Sequence, residues 1–189
     1  MLGLNLVGLT VLLVVLPMWQ KATGIDGPAA FKDIPSHYLV PAVIVAAPLL
    51  EESLFRGWLS GRPRAFWLLG CVVTAAILLF ALEATIAAVA LLAVLVAALA
   101  GWLLLRKRAA PRGLARAFPM LFYASVVAFG LVHVFNYAAP GLTHLPMVLP
   151  QLWAGLTLGF TRIRVGLPAS MLVHAISNAL ALALASLGG

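Results

Sequence analysis

The sequence predicts an all-α protein whose helices cross a membrane about seven times. Of the 189 residues, 64% are hydrophobic and only 9% are charged, whereas soluble domains are about half apolar and about a quarter charged. Apolar segments close to the length needed to cross a bilayer, about 20 residues, follow one another along the chain. We therefore expect a single integral membrane domain over residues 1–189.

Seven apolar segments divide the chain, and their ends are predicted to within a few residues. The first has no basic residue before it, which is unlike a signal peptide, so we interpret it as a retained span. The third and fourth form one apolar run interrupted only by Glu83. That run is too long for one span, which predicts a tight turn at Glu83. The segments are 4–19, 38–59, 66–82, 84–105, 118–137, 145–161 and 167–187.

Basic residues lie mainly in the loops that this division places on one side of the membrane. By the positive-inside rule that side is cytoplasmic, so we expect the N-terminus inside and the C-terminus outside. The opposite loops carry Lys21 and Lys32, balanced by Asp26 and Asp33, together with Glu83. The same clustering argues against nucleic acid as the reason for the net charge of +7. The predicted cytoplasmic loops contain Arg62, Arg64, Arg106, Lys107, Arg108, Arg112, Arg116, Arg162 and Arg164.

Polar side chains within three of the apolar segments are the candidate functional residues. An ionisable side chain in a bilayer is costly and must line a cavity or find a partner. Residues four apart share a helix face, so Glu52 can pair with Arg56, whereas Glu51 points about 100° away from Glu52. We expect one carboxylate to face a reaction centre and the other to be held by Arg56, and this pairing favours Glu52 as the structural partner. The spacing leaves open which of the two is the base. The full set is Glu51, Glu52, Arg56, His133, His174 and Asn178.

These residue types could hydrolyse a peptide bond if the second, fifth and seventh helices converge. A carboxylate beside imidazoles can deprotonate a water, and an imidazole and an amide can stabilise an oxyanion. The same Glu51, His133 and His174 could instead bind a divalent metal such as zinc, with water in the open position. A serine nucleophile, Ser170 or Ser177 beside His174, is the competing possibility. Small hydroxyls in spanning helices usually serve packing, and we interpret both serines in that way.

Three motifs in this order resemble those of the CAAX-protease and bacteriocin-processing family, also called Abi, which includes the Ras-converting CAAX endopeptidases. They are EExxxR at 51–56, FxxxH at 129–133 and HxxxN at 174–178. The likeness covers about residues 38–187. It implies an intramembrane endopeptidase that cuts a membrane-associated peptide or protein of the CAAX or bacteriocin-like type.

The resemblance also implies a role for each motif residue. Glu51 would be the general base that activates water, and His133 would help to hold that water. The oxyanion would be stabilised by His174 and Asn178. The family has been described both as metal-dependent and as glutamate-dependent without metal, so the implied cofactor is a divalent metal such as zinc or none. The supporting residues would be Glu52, Arg56 and Phe129.

Two other classes of function stay open. Buried Glu and His also form the proton relays of proton-coupled transporters, although the sequence shows no inverted repeat of the kind that carriers have. A non-catalytic immunity or scaffold protein of the same fold would keep the motifs without using them. The expected partners are membrane lipid and a membrane-associated peptide or protein, with no nucleic acid. The expected location is the bacterial cytoplasmic membrane.

Overall fold

The computed structural model of the chain describes residues 1–30, 32 and 34–187, and these contain helices and no strand. Asp33, one of the predicted outer-loop charges, lies outside the described residues. We number the helices in chain order and treat three consecutive helical segments as one helix, α2. They are α1 (Leu2–Thr23), α2 (Ser36–Pro41, Ala42–Ala46 and Ala47–Arg56), α3 (Pro63–Ala81), α4 (Ala84–Leu104), α5 (Leu114–Val132), α6 (Leu149–Arg164) and α7 (Leu167–Leu187).

Six helical stretches of the described chain are long and apolar enough to cross a membrane, judged by length and composition. The exception is α6, which has 16 residues and follows a 3₁₀ segment, Leu142–Val148. At a rise of about 1.5 Å per residue, α6 is about 24 Å long. The predicted sixth segment is therefore built from a 3₁₀ segment and a short α-helix. The predicted fold class, a polytopic all-α protein of about seven spans, is confirmed.

The chain divides into two compact units. One comprises Met1–Phe55 and Pro119–Gly189, and the other comprises Arg56–Phe118. In the second unit α3 ends at Ala81 and α4 begins at Ala84, so the turn predicted at Glu83 is confirmed. This hairpin is closed by Trp67, whose indole N–H donates to the Ala97 carbonyl at 2.9 Å.

Small residues allow α6 to pack closely against α1 and α5 in the first unit. Gly155 lies against Val126, and Gly159 lies against the ring of Phe122. On another face of α6, Trp153 covers Gly8 of α1, where an added Cβ would lie 2.2 Å from the indole nitrogen. Close approach at small residues is the usual way in which membrane helices associate, because lipid provides no hydrophobic drive between them.

A buried polar network joins α1, α6 and α7. Asn5 is fully buried, and its side-chain amide donates to the Ser177 hydroxyl at 2.6 Å. The Thr157 hydroxyl donates to the Asn5 side-chain oxygen at 2.5 Å, and the Trp153 indole donates to the Asn5 main-chain carbonyl at 3.3 Å. Within a bilayer such groups must find protein partners. Asn5 was not among the residues singled out from the sequence.

The contact between Gly8 and Trp153 makes a matched test of this packing. Gly8→Ala would force the indole to move and strain its bond to Asn5, and overpacking of this kind costs about 1–3 kcal/mol. Gly3→Ala lies on the same helix with nothing within 4 Å, so it makes the same change of residue without the clash. We expect Gly8→Ala to unfold at a lower temperature than Gly3→Ala in a detergent thermal-unfolding assay. Equal unfolding temperatures would contradict this packing.

Candidate active site

Helix α2 carries the first motif and contains an irregular turn just before it. Residues Ala42–Ala46 form a π turn in which the Ala47 N–H donates to the Ala42 carbonyl, five residues back. Pro48 gives the physical reason, because proline has no N–H and its ring clashes with a regular preceding turn. Single π turns inside α-helices are often found at functional sites. Here the turn lies one helical turn before Glu51.

The two motif carboxylates have different surroundings. Glu52 is fully buried and accepts hydrogen bonds from the Nδ1 of His174 at 2.9 Å and from the Ser170 hydroxyl. The side chain of Glu51 is 28% exposed. The structure therefore places Glu52 as the carboxylate that links α2 to α7. Arg56, at the end of the same motif, is buried as well.

The Nδ1 hydrogen bonds of the two histidines fix the direction of their rings. The Nδ1 of His133 lies 2.7 Å from the Phe129 carbonyl, and the Nδ1 of His174 lies 2.9 Å from the Glu52 carboxylate. Both partners are acceptors, so each Nδ1 carries the hydrogen. In a neutral ring the Nε2 atom then has a free lone pair. The structure aims both Nε2 atoms at the same side chain, that of Glu51.

Glu51, His133 and His174 converge on one point. The Oε2 of Glu51 lies 3.8 Å from the Nε2 of His133 and 3.7 Å from the Nε2 of His174. These separations are too long for direct hydrogen bonds. The same oxygen is buried and has no hydrogen-bond partner in the protein. The arrangement leaves three acceptor atoms around a common point, which suits a water molecule or a cation.

The two histidines meet in the structure, although the sequence suggests that they lie at different depths in the membrane. A simple residue count places His133 near the far end of its helix, whereas His174 is only about seven residues into α7. In the structure the His133 ring turns back onto the Phe129 carbonyl, four residues earlier. Four residues correspond to about 6 Å of helix, and helical side chains lean towards the N-terminus. His133 thus reaches the level of His174.

Phe129, the first residue of the FxxxH motif, forms the apolar wall beside the histidines. It is 1% exposed, and its ring packs edge-on to His133 at 4.8 Å and to His174 at 5.9 Å between centroids. Its ring also packs against Phe55 of α2, at 5.2 Å. One residue therefore holds the His133 tautomer through its carbonyl and packs against both histidine rings through its side chain.

Asn178 lies one turn beyond His174 on α7, and its side chain contacts the π turn of α2. The Nδ2 of Asn178 donates to the Val43 carbonyl at 2.9 Å. One of the two amide hydrogens is thereby used within the protein. This contact was not anticipated from the sequence, where the only available signal was Pro48 inside an apolar segment.

Both serines near His174 have structural hydrogen bonds. Ser170 is fully buried and binds Glu52. Ser177 accepts from Asn5 and donates to the Val173 carbonyl at 2.7 Å. Neither arrangement is that of an exposed nucleophile activated by His174, whose Nδ1 is bound to Glu52.

The loop that follows His133 packs against other segments of the first unit. The N–H groups of Ala29 and Ala30 donate to the Asn136 carbonyl at 2.8 and 3.1 Å. Tyr137, just beyond the span, packs against the His144 ring at 4.8 Å, and burial raises the pKa of its phenol above the ordinary value of 10.0. Tyr137 directly follows a short 3₁₀ segment, His133–Asn136.

The residue types at the convergence point fit a zinc ion. Two imidazole nitrogens and one carboxylate oxygen are a common catalytic zinc set, and each imidazole is oriented through its other nitrogen, as metal-binding histidines are. The unpartnered Oε2 of Glu51 is the atom that an ion or a water would satisfy. Among the described residues, however, no group of three or more His, Cys, Asp or Glu side chains is placed so that it could hold a metal ion.

Part of the chain is similar to a known protein family. Residues 109–180 match the sequence model of a family described as Rce1-like, type II CAAX prenyl endopeptidase. This match agrees with the family that the three motifs resemble. The Rce1-like match includes His133, His174 and Asn178, whereas Glu51 lies before it. No curated protein and no solved structure matched the chain.

Similarity to the Rce1-like family implies CAAX-type intramembrane protease activity, and so a hydrolase of peptide bonds. Together with the six apolar helices, it identifies an integral membrane protein.

The contrast between the two carboxylates predicts different effects on stability. Glu52→Ala removes an acceptor from both His174 and Ser170, and breaking a buried pair of this kind costs about 3–5 kcal/mol. Glu51→Ala removes a carboxylate whose Oε2 has no hydrogen-bond partner. We expect a large fall in unfolding temperature for Glu52→Ala and little change for Glu51→Ala. A larger fall for Glu51→Ala would show that the two structural roles are reversed.

Proposed function

We propose that the protein is an intramembrane endopeptidase in which Glu51 is the general base for a water bound between His133 and His174. The observation that supports this most strongly is the position of the Glu51 Oε2, 3.7 and 3.8 Å from the two Nε2 atoms. Hydrogen-bond acceptors gathered in this way favour a molecule that can donate hydrogen bonds to them, such as water. A water there is held by one imidazole while the carboxylate takes its proton.

In the proposed reaction, Glu51 removes one proton from the water as its oxygen attacks the carbonyl carbon of the substrate peptide bond. The carbonyl oxygen becomes an oxyanion. The protonated Glu51 then delivers its proton to the departing amine nitrogen as the carbon–nitrogen bond breaks. One water is consumed, and an acid and an amine are formed. The Nε2 of His133 accepts a hydrogen bond from the second hydrogen of the water and so directs the water oxygen towards the carbonyl carbon.

His174 is proposed to stabilise the oxyanion. Without a metal this requires a hydrogen on Nε2 as well as on Nδ1, so the ring must be cationic. The carboxylate of Glu52, 2.9 Å from Nδ1, supports that charge in the same way as the aspartate of a catalytic triad does. The resemblance also implies Asn178 for this role, but one of its amide hydrogens is used by Val43.

A bound zinc would use Glu51, His133 and His174 as ligands. It would supply Lewis-acid polarisation of the scissile carbonyl and a more acidic water. In that case His174 stays neutral, and Glu52 orients it through the Nδ1 hydrogen bond.

We further propose that the substrate is a membrane-associated peptide or protein of the CAAX or bacteriocin-like type, reached from the lipid. Leu50, next to Glu51, is 70% exposed, and an exposed leucine on a spanning helix faces lipid. The basic loops support an N-terminus on the cytoplasmic side, as would befit a bacterial cytoplasmic membrane.

The general-base role predicts that Glu51→Gln lowers the rate of cleavage by about 10²–10⁴-fold, the usual contribution of such a group. Cleavage of a fluorogenic CAAX-type peptide in proteoliposomes measures this rate. Glu83→Gln, an exposed loop carboxylate, is the matched control and should cleave at the wild-type rate. Full activity of Glu51→Gln would show that another group is the base. A folded wild-type protein that cleaves no membrane peptide would instead favour the immunity or scaffold function.

Glu52→Gln separates the two forms of the mechanism. Cleavage should fall in both, because the contact with His174 is weakened. If zinc is used, loss of such an outer-shell partner lowers metal affinity by about 10–100-fold, so activity should return at high zinc. If no metal is used, metal analysis of the purified wild-type protein stays at background and added zinc rescues nothing. Unchanged cleavage by Glu52→Gln would contradict the proposed support of His174.

A further inference from the structure

We propose that Asn178 is a positioning residue, whose amide holds the π turn of α2 against α7 and thereby fixes where Glu51 lies. The proposal rests on the proposed function only in taking Glu51 as the base. The hydrogen bond itself, from Nδ2 to the Val43 carbonyl at 2.9 Å, is a feature of the fold.

The Val43 carbonyl needs a donor from outside its own helix. The Ala47 N–H, which would serve it in a regular α-helix, donates instead to the Ala42 carbonyl. In the π register the next donor for Val43 is residue 48, which is a proline without an N–H. A carbonyl left unpaired within a bilayer is costly, because no water is present to bind it. Asn178 supplies the donor that Pro48 removes.

Glu51 lies in sequence between two links that join α2 to α7. One is the bond from Asn178 to Val43, eight residues before Glu51. The other is Glu52, which binds His174 and Ser170. Two links on an antiparallel pair of helices fix both their register and their rotation, as one link does not.

The carboxylate of Glu51 depends on these links because its own Oε2 has no hydrogen-bond partner. Its distance from the two Nε2 atoms is therefore set by the backbone of α2. A displacement of about 1 Å in a reacting group can cost about 100-fold in rate. Loss of the Asn178 bond should therefore slow catalysis even though the Glu51, His133 and His174 side chains remain.

The test compares Asn178→Ala with Ser177→Ala, which removes an interhelical hydrogen bond of α7 that leads to α1 instead of α2 and is more deeply buried. Spin labels at Val40→Cys and Leu172→Cys, both exposed, in a Cys71→Ala background report the distance between α2 and α7 in proteoliposomes. We expect Asn178→Ala to broaden or shift that distance distribution and to lower kcat about 10–100-fold with little change in KM. We expect Ser177→Ala to leave both the distance and kcat near wild type.

A double variant tests the role of Pro48 through the unfolding temperature, in case Asn178→Ala alone loses activity by folding poorly. In Pro48→Ala with Asn178→Ala, residue 48 regains an N–H that can reach the carbonyls of the preceding turn. This double variant should unfold at a higher temperature than Asn178→Ala alone. No such recovery would overturn the assigned role of Pro48 and with it the proposal.

The outcomes of the two proposals are distinguishable. If Asn178→Ala loses cleavage while the distance between α2 and α7 is unchanged, Asn178 acts directly on the oxyanion and the positioning role is wrong. If the distance changes but the wild-type protein cleaves no peptide, the positioning role stands and the proposed protease function is wrong.

Discussion

The buried carboxylate of Glu52 is the interaction on which the site depends. It receives hydrogen bonds from His174 and Ser170, and so joins α2 to α7 at the level of the first motif. By holding the Nδ1 of His174 it turns Nε2 towards Glu51. A fully buried carboxylate is stable only with such partners. The adjacent Glu51 is left to face the two Nε2 atoms, so one carboxylate joins the helices and its neighbour is the one proposed to act on the substrate.

Much of the fold could be predicted because lipid imposes simple rules. Spanning segments need about 20 apolar residues, and the turn at Glu83 followed from a run too long for one helix. The 100° step of a helix predicted that Glu51 and Glu52 point in different directions, although it left open which of them is the base. These inferences use only local periodicity, which the sequence carries directly. The convergence of Glu51, His133 and His174 came instead from the resemblance of three motifs, since spacing along separate helices says nothing about which helices meet.

The features that escaped prediction depend on contacts between helices. The depth of His133 could not be deduced, because the turn of its ring onto the Phe129 carbonyl and the 3₁₀ segment after it are tertiary in origin. The partner of Asn178 could not be deduced either, because it is a backbone carbonyl freed by Pro48. Asn5 was overlooked because a single amide near the start of an apolar segment has no motif, although the same argument from the cost of polar groups in lipid applied to it.

Polarity within the bilayer therefore marks two kinds of residue, and hydrogen bonding separates them. Asn5 and Ser170 are polar, fully buried and bonded to other helices, so their hydrogen bonds join α1, α6 and α7. Glu51 is the opposite case, because its Oε2 is buried, has no hydrogen-bond partner in the protein and faces the Nε2 atoms of two histidines. In a medium where an unpaired polar atom is costly, such a group is retained only where a water, an ion or a substrate completes it. Unused bonding capacity at a point of convergence, more than burial or charge alone, is what supports the proposed role of Glu51 as the general base.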